Sequence, residues 1–330
     1  MVELPMSRFS DIADRALEWS VVGSFTRAGS TLRRRLDHWE PFADGALAGR
    51  VVVLTGGTSG LGLEAVRTFA RLGATIEIIA RSEAKARATC EDLRRETRGA
   101  QVSFVVADMG DLAAVRAASA EILRRHPSVH ALVHNAGALE AVRHVSPQGL
   151  ELTVASQVVG PFLLTGLLLP ALKAAARSRV LWVSSGGMYS EPLSVDALEM
   201  SDRDYDGTTA YARAKRAQVT LTALLAERLS SDGIAVQSMH PGWADTPGVA
   251  RSLPTFRALV GPLLRTAAEG ADTLVWLAVD DGDPLSKMGC FWHDRRARPL
   301  HRLASTRSSD TPEERRRLWE WVVAKSGVAI

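Results

Sequence analysis

Cysteine is nearly absent from this chain. The 330 residues hold two, Cys90 and Cys290, too few and too far apart for a disulfide framework or a zinc site, so a small disulfide-stapled scaffold is excluded and a reducing compartment fits. Charge of one sign is also lacking. Forty Lys and Arg stand against 37 Asp and Glu, and they are interspersed, as in Arg94-Arg95-Glu96, which argues against a nucleic-acid-binding surface. The densest basic run, Arg33-Arg34-Arg35, reads as a solvated helix face, with peripheral contact to an anionic membrane as the alternative. No apolar run reaches the length of a spanning helix: the longest, residues 158–172, contains Pro161 and Pro170, so no transmembrane segment is expected. The first residues place Glu3, Asp11 and Asp14 where an export signal needs a basic region and an apolar core, and the expectation is a cytoplasmic protein. Histidine spacing suggests no metal site, and His134 and His240 read as packed or hydrogen-bonded bystanders.

What is present is an alternation. Short β-branched runs at residues 51–54, 75–79, 102–106, 129–133, 180–183 and 234–238 are separated by segments long enough for crossover helices. Continuously apolar strands must be covered on both faces, so the pattern predicts an α/β fold with a Rossmann-type, doubly wound parallel sheet. A composition that is 46% hydrophobic supplies the core. The single domain is expected over 50–293, with a polar, partly helical N-terminal extension over 1–49 to which no chemistry is assigned. A tail over 294–330 ends in a charged helix from Pro312.

The first strand runs into Thr55-Gly56-Gly57-Thr58-Ser59-Gly60-Leu61-Gly62. Glycines there let the backbone approach a pyrophosphate, while the next helix presents unpaired NH groups and its positive end; a tight connection is the plainer reading. Gly56, Thr58, Ser59, Gly60, Leu61 and Gly62 are the contacts such a turn supplies. The second strand ends in Ile79-Ala80-Arg81-Ser82, without the carboxylate that would hold a ribose 2′-hydroxyl. Arg81, a fork-shaped donor suited to a 2′-phosphate, favours NADP over NAD, against the alternative of a solvated surface arginine. Asp108 after the third strand either accepts from an adenine amino group or caps the helix near Asp111. Asn135, Ala136 and Gly137 follow the fourth strand, the last two keeping the backbone bare beside a cofactor and the asparagine doubling as a turn former.

Among three tyrosines, only Tyr211 has a lysine four residues on, Lys215. That spacing puts phenol and ammonium on one helix face, where the cation would lower a phenolic pKa. Together the glycine turn, His134-Asn135-Ala136-Gly137, Ser184-Ser185, Tyr211 with Lys215, and Pro241-Gly242 resemble the short-chain dehydrogenase/reductase superfamily in its classical form, over about residues 49–293. Ser184-Ser185-Gly186-Gly187-Met188, residues 238–249 and Gly270-Ala271-Asp272-Thr273 narrow the resemblance to one of its branches.

The resemblance implies a nicotinamide cofactor and three catalytic roles. Tyr211 is general acid or base, Lys215 lowers its pKa and holds the nicotinamide ribose, and Ser185 donates to the substrate oxygen; strand alternation would turn Ser184 away. It further implies cofactor contacts at Pro241, Gly242 and Thr246, Thr246 otherwise being a helix cap before Pro247. One departure stands out: Gln157 occupies the position where the family usually has an asparagine whose main-chain carbonyl holds a relay water. Pro161 lacks the NH that would bond the Gln157 carbonyl, which leaves that oxygen free for water or merely kinks the helix.

Met239, Trp243, Val249, Leu253 and Phe256 line a lipophilic pocket or are ordinary core. The expected function is an NADP(H)-dependent oxidoreductase acting on a small-molecule alcohol or carbonyl with an apolar body. The alternative is a cofactor-binding protein of low turnover acting through a partner. A methyltransferase on a similar sheet has no use for the tyrosine and lysine pair. The apolar helix at 158–172 and the charged helix near 313–323 further predict a homo-oligomer.

Overall fold

The apolar runs pair as strands of one sheet in a computed structural model that describes residues 8–330; Glu3 lies outside the described residues. The strands are β1 (Val51–Thr55), β2 (Thr75–Ala80), β3 (Gln101–Val106), β4 (Ala131–His134), β5 (Arg179–Val183), β6 (Ala235–Met239), β7 (Phe291–His293) and β8 (Arg296–Arg298). Their order is β3-β2-β1-β4-β5-β6-β7-β8. All neighbours run parallel except the β7–β8 hairpin. The order reverses between β1 and β4, and in open α/β sheets that switch point opens a crevice at the carboxyl edge.

The principal helices are α1 (Arg8–Trp19), α2 (Val21–Phe25), α3 (Arg27–Leu36), α4 (Gly60–Arg71), α5 (Glu83–Glu96), α6 (Leu112–Arg125), α7 (Leu152–Ala174), α8 (Gly207–Leu229), α9 (Ala267–Val279) and α10 (Pro312–Ser326). Alternate strand residues face opposite cores. Val53, Leu132, Val180 and Trp182 pack with α6, α7, α8 and α10, while Val52, Leu54, Val133 and Leu181 pack with α4, α5 and α9. This is the two-sided burial that continuously apolar strands require.

The apolar stretch at 158–172 belongs to a longer helix than the sequence suggested. By length and composition alone α7 would cross a membrane, but 72% of its most apolar window is buried inside the protein, so it is a core helix. After an opening turn at Leu152–Val154 it passes through a π-helical turn at Ala155–Val159. Much of its outer side is covered by the chain's own C-terminal segment: the Phe162 and Trp319 rings meet edge to face at 5.3 Å, and a β-carbon on Gly166 would stand 2.8 Å from Val328. The C-terminal segment thus covers part of the apolar helix that motivated the expectation of a homo-oligomer.

The N-terminal segment is equally well docked, through charge. Arg33, read from sequence as part of a solvated or membrane-facing run, is buried, because its guanidinium meets Asp14, Glu18 and Asp294, each at 2.7 Å. Arg34 and Arg35 stay exposed. Asp294 sits in the β7–β8 turn and also takes Arg265 at 2.9 Å, and Arg298 reaches back to Asp14. Buried charges are tolerated only when paired and hydrogen-bonded in this way.

Candidate active site

The glycine turn lies between β1 and α4, against the end of β4. Gly56 has φ +74°, the left-handed region that costs a side-chain-bearing residue most. Gly62 faces the chain itself: a β-carbon there would stand 2.2 Å from the Gly56 carbonyl and 2.5 Å from Asn135 Nδ2, so only glycine lets α4 approach the sheet this closely. Asn135 Nδ2 donates to the Thr55 and Gly56 carbonyls, and Thr55 Oγ1 accepts from the Asn135 and Ala136 NH groups at 3.0 Å. Asn135 is thus the staple of the turn. Thr55, which sequence reasoning passed over, is the other half; a hydroxyl as the last strand residue was its signal. Thr246 caps its own short helix, accepting from Val249 NH. It also stands 3.3 Å from where a β-carbon on Gly60 would be, which brings the loop after Pro241 and Gly242 to the glycine turn. The bare cradle, with Thr58, Ser59 and Leu61 opening α4, fits a dinucleotide pyrophosphate.

At the end of β2, Arg81 is 65% exposed and its nearest carboxylate is Asp108 at 3.9 Å, leaving the guanidinium able to meet a phosphate. The capping alternative for Asp108 is not realised: Asp111 caps α6, while Asp108 Oδ1 accepts from Gly110 NH at 2.8 Å. Its other oxygen is left facing Arg81.

Ser185, Tyr211 and Lys215 come together where β5 ends. The Ser185 side chain accepts from Gly187 NH at 3.2 Å, capping a short 3-10 turn at Gly186–Tyr189, and its hydroxyl also bonds the Tyr211 phenol. Ser184 is spent elsewhere, donating to the Lys215 carbonyl. Lys215 is buried, with Nζ 2.9 Å from the Val183 carbonyl and 5.1 Å from the centre of the Tyr211 ring. Burial pushes the Lys215 ammonium down to about 7 and the Tyr211 phenol up to about 12, with the Ser185 hydroxyl acting the other way. In the free site, therefore, burial outweighs the lowering of the phenol that the sequence spacing suggested. Tyr211 holds its proton at neutral pH.

Gln157 lies in the π-helical turn, a local widening frequent at functional sites. Its Nε2 donates to the Ala138 carbonyl at 2.6 Å, and its Oε1 is buried with no partner among the described residues. Gly137 makes room for it: a β-carbon there would stand 2.9 Å from Gln157 Oε1 and 3.5 Å from Lys215 Nζ. Pro161 does withhold an NH from the Gln157 carbonyl, but that oxygen is not left to water alone. It accepts from Gln218 Nε2 at 2.7 Å. Gln218, three residues past Lys215 on α8, was missed because glutamine in a helix carries no motif.

Of the apolar residues assigned to a pocket, Met239 belongs to the core. Trp243 and Phe256 meet edge to face at 5.0 Å in the loop after β6, with Leu253 partly exposed nearby in sequence. His134 and His240 are buried and bonded, to Thr165 and to Gly186 NH.

A doubly wound sheet, a glycine cradle at its switch point and a Ser, Tyr and Lys group at its carboxyl edge define a nicotinamide-dependent oxidoreductase. The family model for short chain dehydrogenases matches residues 50–255, and the chain belongs to that family. It is 35% identical over 268 residues to Dehydrogenase/reductase SDR family member 12 of Homo sapiens, covering 81% of this chain and 84% of that protein. It is 34% identical over 243 residues to Retinol dehydrogenase 12 of Homo sapiens, covering 73% and 77%. A crystal structure of a short chain dehydrogenase from Shigella flexneri complexed with NADP superposes with a TM-score of 0.62 at 25% identity, covering 77% of this chain and 100% of that one.

Proposed function

We propose that this protein is an NADP(H)-dependent oxidoreductase that interconverts an alcohol and a carbonyl on a substrate with a sizeable apolar body. The observation that carries the reading is the meeting of Ser185, Tyr211 and Lys215 at the end of β5, beside a cradle that fits a dinucleotide. The nicotinamide, when bound, supplies hydride for reduction and takes it in oxidation. Ser185, hydrogen-bonded to the Tyr211 phenol in the empty site, turns its proton to the substrate oxygen and so fixes the carbonyl beside the phenol. Tyr211 delivers its proton to that oxygen as negative charge builds there, or takes it back in oxidation. Lys215, bonded to the Val183 carbonyl in this structure, would hold the ribose hydroxyls of a bound cofactor, and its positive charge beside the phenol would favour phenolate. Arg81, without a competing strand-end carboxylate, supports the choice of NADP. The partly buried Trp243 and Phe256 rings beyond β6 support an apolar substrate, as does the name of the relative Retinol dehydrogenase 12.

A second reading has one observation in its favour. The Gln157 carbonyl, where the family keeps a relay water, is held by Gln218, which suits a cofactor-binding protein of low turnover that works through a partner. A panel of aldehydes, ketones, steroids and retinoids with NADPH, followed by loss of absorbance, separates the two. Turnover that disappears in Tyr211→Phe supports the enzyme; cofactor binding with no turnover across the panel sinks it.

A further inference from the structure

Phe25 lies outside the stretch that matches the family model, yet it touches both loops of the active site. Its ring is buried, edge-on to His240 at 4.4 Å, to His293 at 5.1 Å and to Trp243 at 6.0 Å. Its Cε2 is 2.6 Å from where a β-carbon on Gly186 would stand, and His240 Nε2 is 3.2 Å from the same point. Gly186 is the residue after Ser185. Its NH donates to His240 Nδ1 at 3.1 Å, which fixes the histidine proton on Nε2, and that nitrogen has no hydrogen-bond acceptor among the described residues. On the other side, the Phe25 carbonyl accepts from Trp243 NH at 2.8 Å and Arg265 Nε at 3.0 Å, and Trp243 is the residue after Pro241-Gly242.

One residue thus spans the turn that carries the catalytic serine and the loop that reaches the glycine cradle. Its own position is fixed by the charge cluster around Arg33, since Ser24 gives its carbonyl to Arg33 and to Arg265 and Asp294 pairs with both. Nothing in that chain of contacts is solvent-exposed: Phe25, Arg33, Arg265 and Asp294 are all buried.

We propose that Phe25 is a positioning residue for catalysis, and that the N-terminal segment from α1 to α3 is a built-in brace of the active site. Resting on the assignment of Ser185 and Tyr211 above, the argument is steric. One wall of the 3-10 turn after Ser185 is formed by the Phe25 ring and His240, and Gly186 has no side chain because that wall occupies the space. Removing the ring lets the turn relax toward the void and displaces the Ser185 hydroxyl, which must stay within hydrogen-bond reach of the substrate oxygen. The family model's boundary at residue 50 therefore cuts through a functional unit of this chain.

The test is a steric swap in the full-length protein. Phe25→Val and Gly186→Ala are each expected to lower kcat about ten-fold or more, measured well below the melting temperature of each variant. In Phe25→Val/Gly186→Ala the new methyl enters the space the ring has left, and its loss is expected to be smaller than the product of the single losses by about five-fold or more. NADPH affinity, read by fluorescence titration, should change less than about three-fold in Phe25→Val, because the bonds to Trp243 and Arg265 come from the main chain. Unchanged kcat in folded Phe25→Val, or single losses that simply multiply, overturns the proposal. So does a loss confined to cofactor affinity. Tyr211→Phe run alongside keeps the two readings apart: an active Tyr211→Phe undoes the site assignment, whereas an inactive Tyr211→Phe with a fully active Phe25→Val undoes the brace alone. If no carbonyl in the panel turns over, the swap is read instead in the melting temperatures with and without NADPH, where independent effects of the two substitutions again count against the contact.

Discussion

Lys215 sets the sharpest expectation at the scale of single residues. Its ammonium is pushed down to about 7 by burial, so in the free protein the charge is present below that pH and is lost as pH rises through it. NADPH affinity should weaken between about pH 7 and 9 in the wild type, and this pH dependence should vanish in Lys215→Ala, which also binds more weakly. A flat profile in the wild type would remove the lysine from the cofactor site. Tyr211→Phe deletes one proton donor and preserves packing, so turnover is expected to fall to near background while NADPH binding is retained, checked by the same titration. Arg81→Ala should cost NADPH about 1.5 to 3 kcal/mol, the range for a hydrogen bond to a charged group, and leave NADH nearly unchanged. Equal losses for both cofactors would make Arg81 structural. At Gln157 the order of losses is informative. The main-chain oxygen is held by Gln218 and the side chain faces Gly137 beside Lys215, so Gln157→Ala is expected to lose more activity than Pro161→Ala, with both variants folded by circular dichroism. The reverse order would return the relay to the freed carbonyl.

Elements differ in how openly the sequence declares them. The six apolar runs show plainly because strands covered on both faces cannot hide their Val and Ile, and the turn after β1 shows because only glycine fits against the Gly56 carbonyl. The helix over Ala267–Val279 is visible for a related reason, a Thr266 and Glu269 capping box at its start. A last strand is legible near residues 288–293, where β7 lies, but β8 and the hairpin it closes escaped notice because β8 has three residues, too few for a period, and the Asp294-Arg295 turn takes positive φ at non-glycine positions. The docking of α1–α3 escaped for a deeper reason. It rests on buried arginines, and an arginine that will be paired looks in sequence like one that will be solvated. The same holds for the C-terminal segment, whose Trp319 lies over Phe162 only once the chain has closed. Because that segment covers part of the outer side of α7, a mass near 35.6 kDa by light scattering at micromolar concentration is the expected result. A stable dimer would have to use another face.

Across the whole molecule, the buried charge cluster ties stability to pH. Burial favours the neutral form of His134, pushed down to about 3, and of His293, pushed down to about 4 despite Asp294 and Glu18 beside it; His240 is also lowered by burial. A histidine whose folded pKa lies below its unfolded one loses stability as pH falls beneath the unfolded value. Glu18 and Asp294 are held below the usual carboxylate range, their arginine and histidine partners overcoming burial, and their contribution is lost as pH drops through and below the unfolded value near 4. The melting temperature is thus expected to fall from pH 7 to 5 by an amount set by about 1 to 2 kcal/mol for each buried histidine, and more steeply below about pH 4. A melting temperature that stays level down to pH 5 would contradict the neutral, buried histidines.

The cluster also dictates a sequence of events in time. Arg33 bonds Asp294, a partner 261 residues further along the chain, and contacts of such separation are slow to form because a very long loop must close first. The helices α1–α3, which precede every strand in the chain, therefore have no seat until β7, β8 and the turn between them have been made. Until then α1–α3 must wait as exposed, unpartnered chain, and their amides should gain protection from hydrogen exchange in the last phase of refolding, after the strands of the sheet.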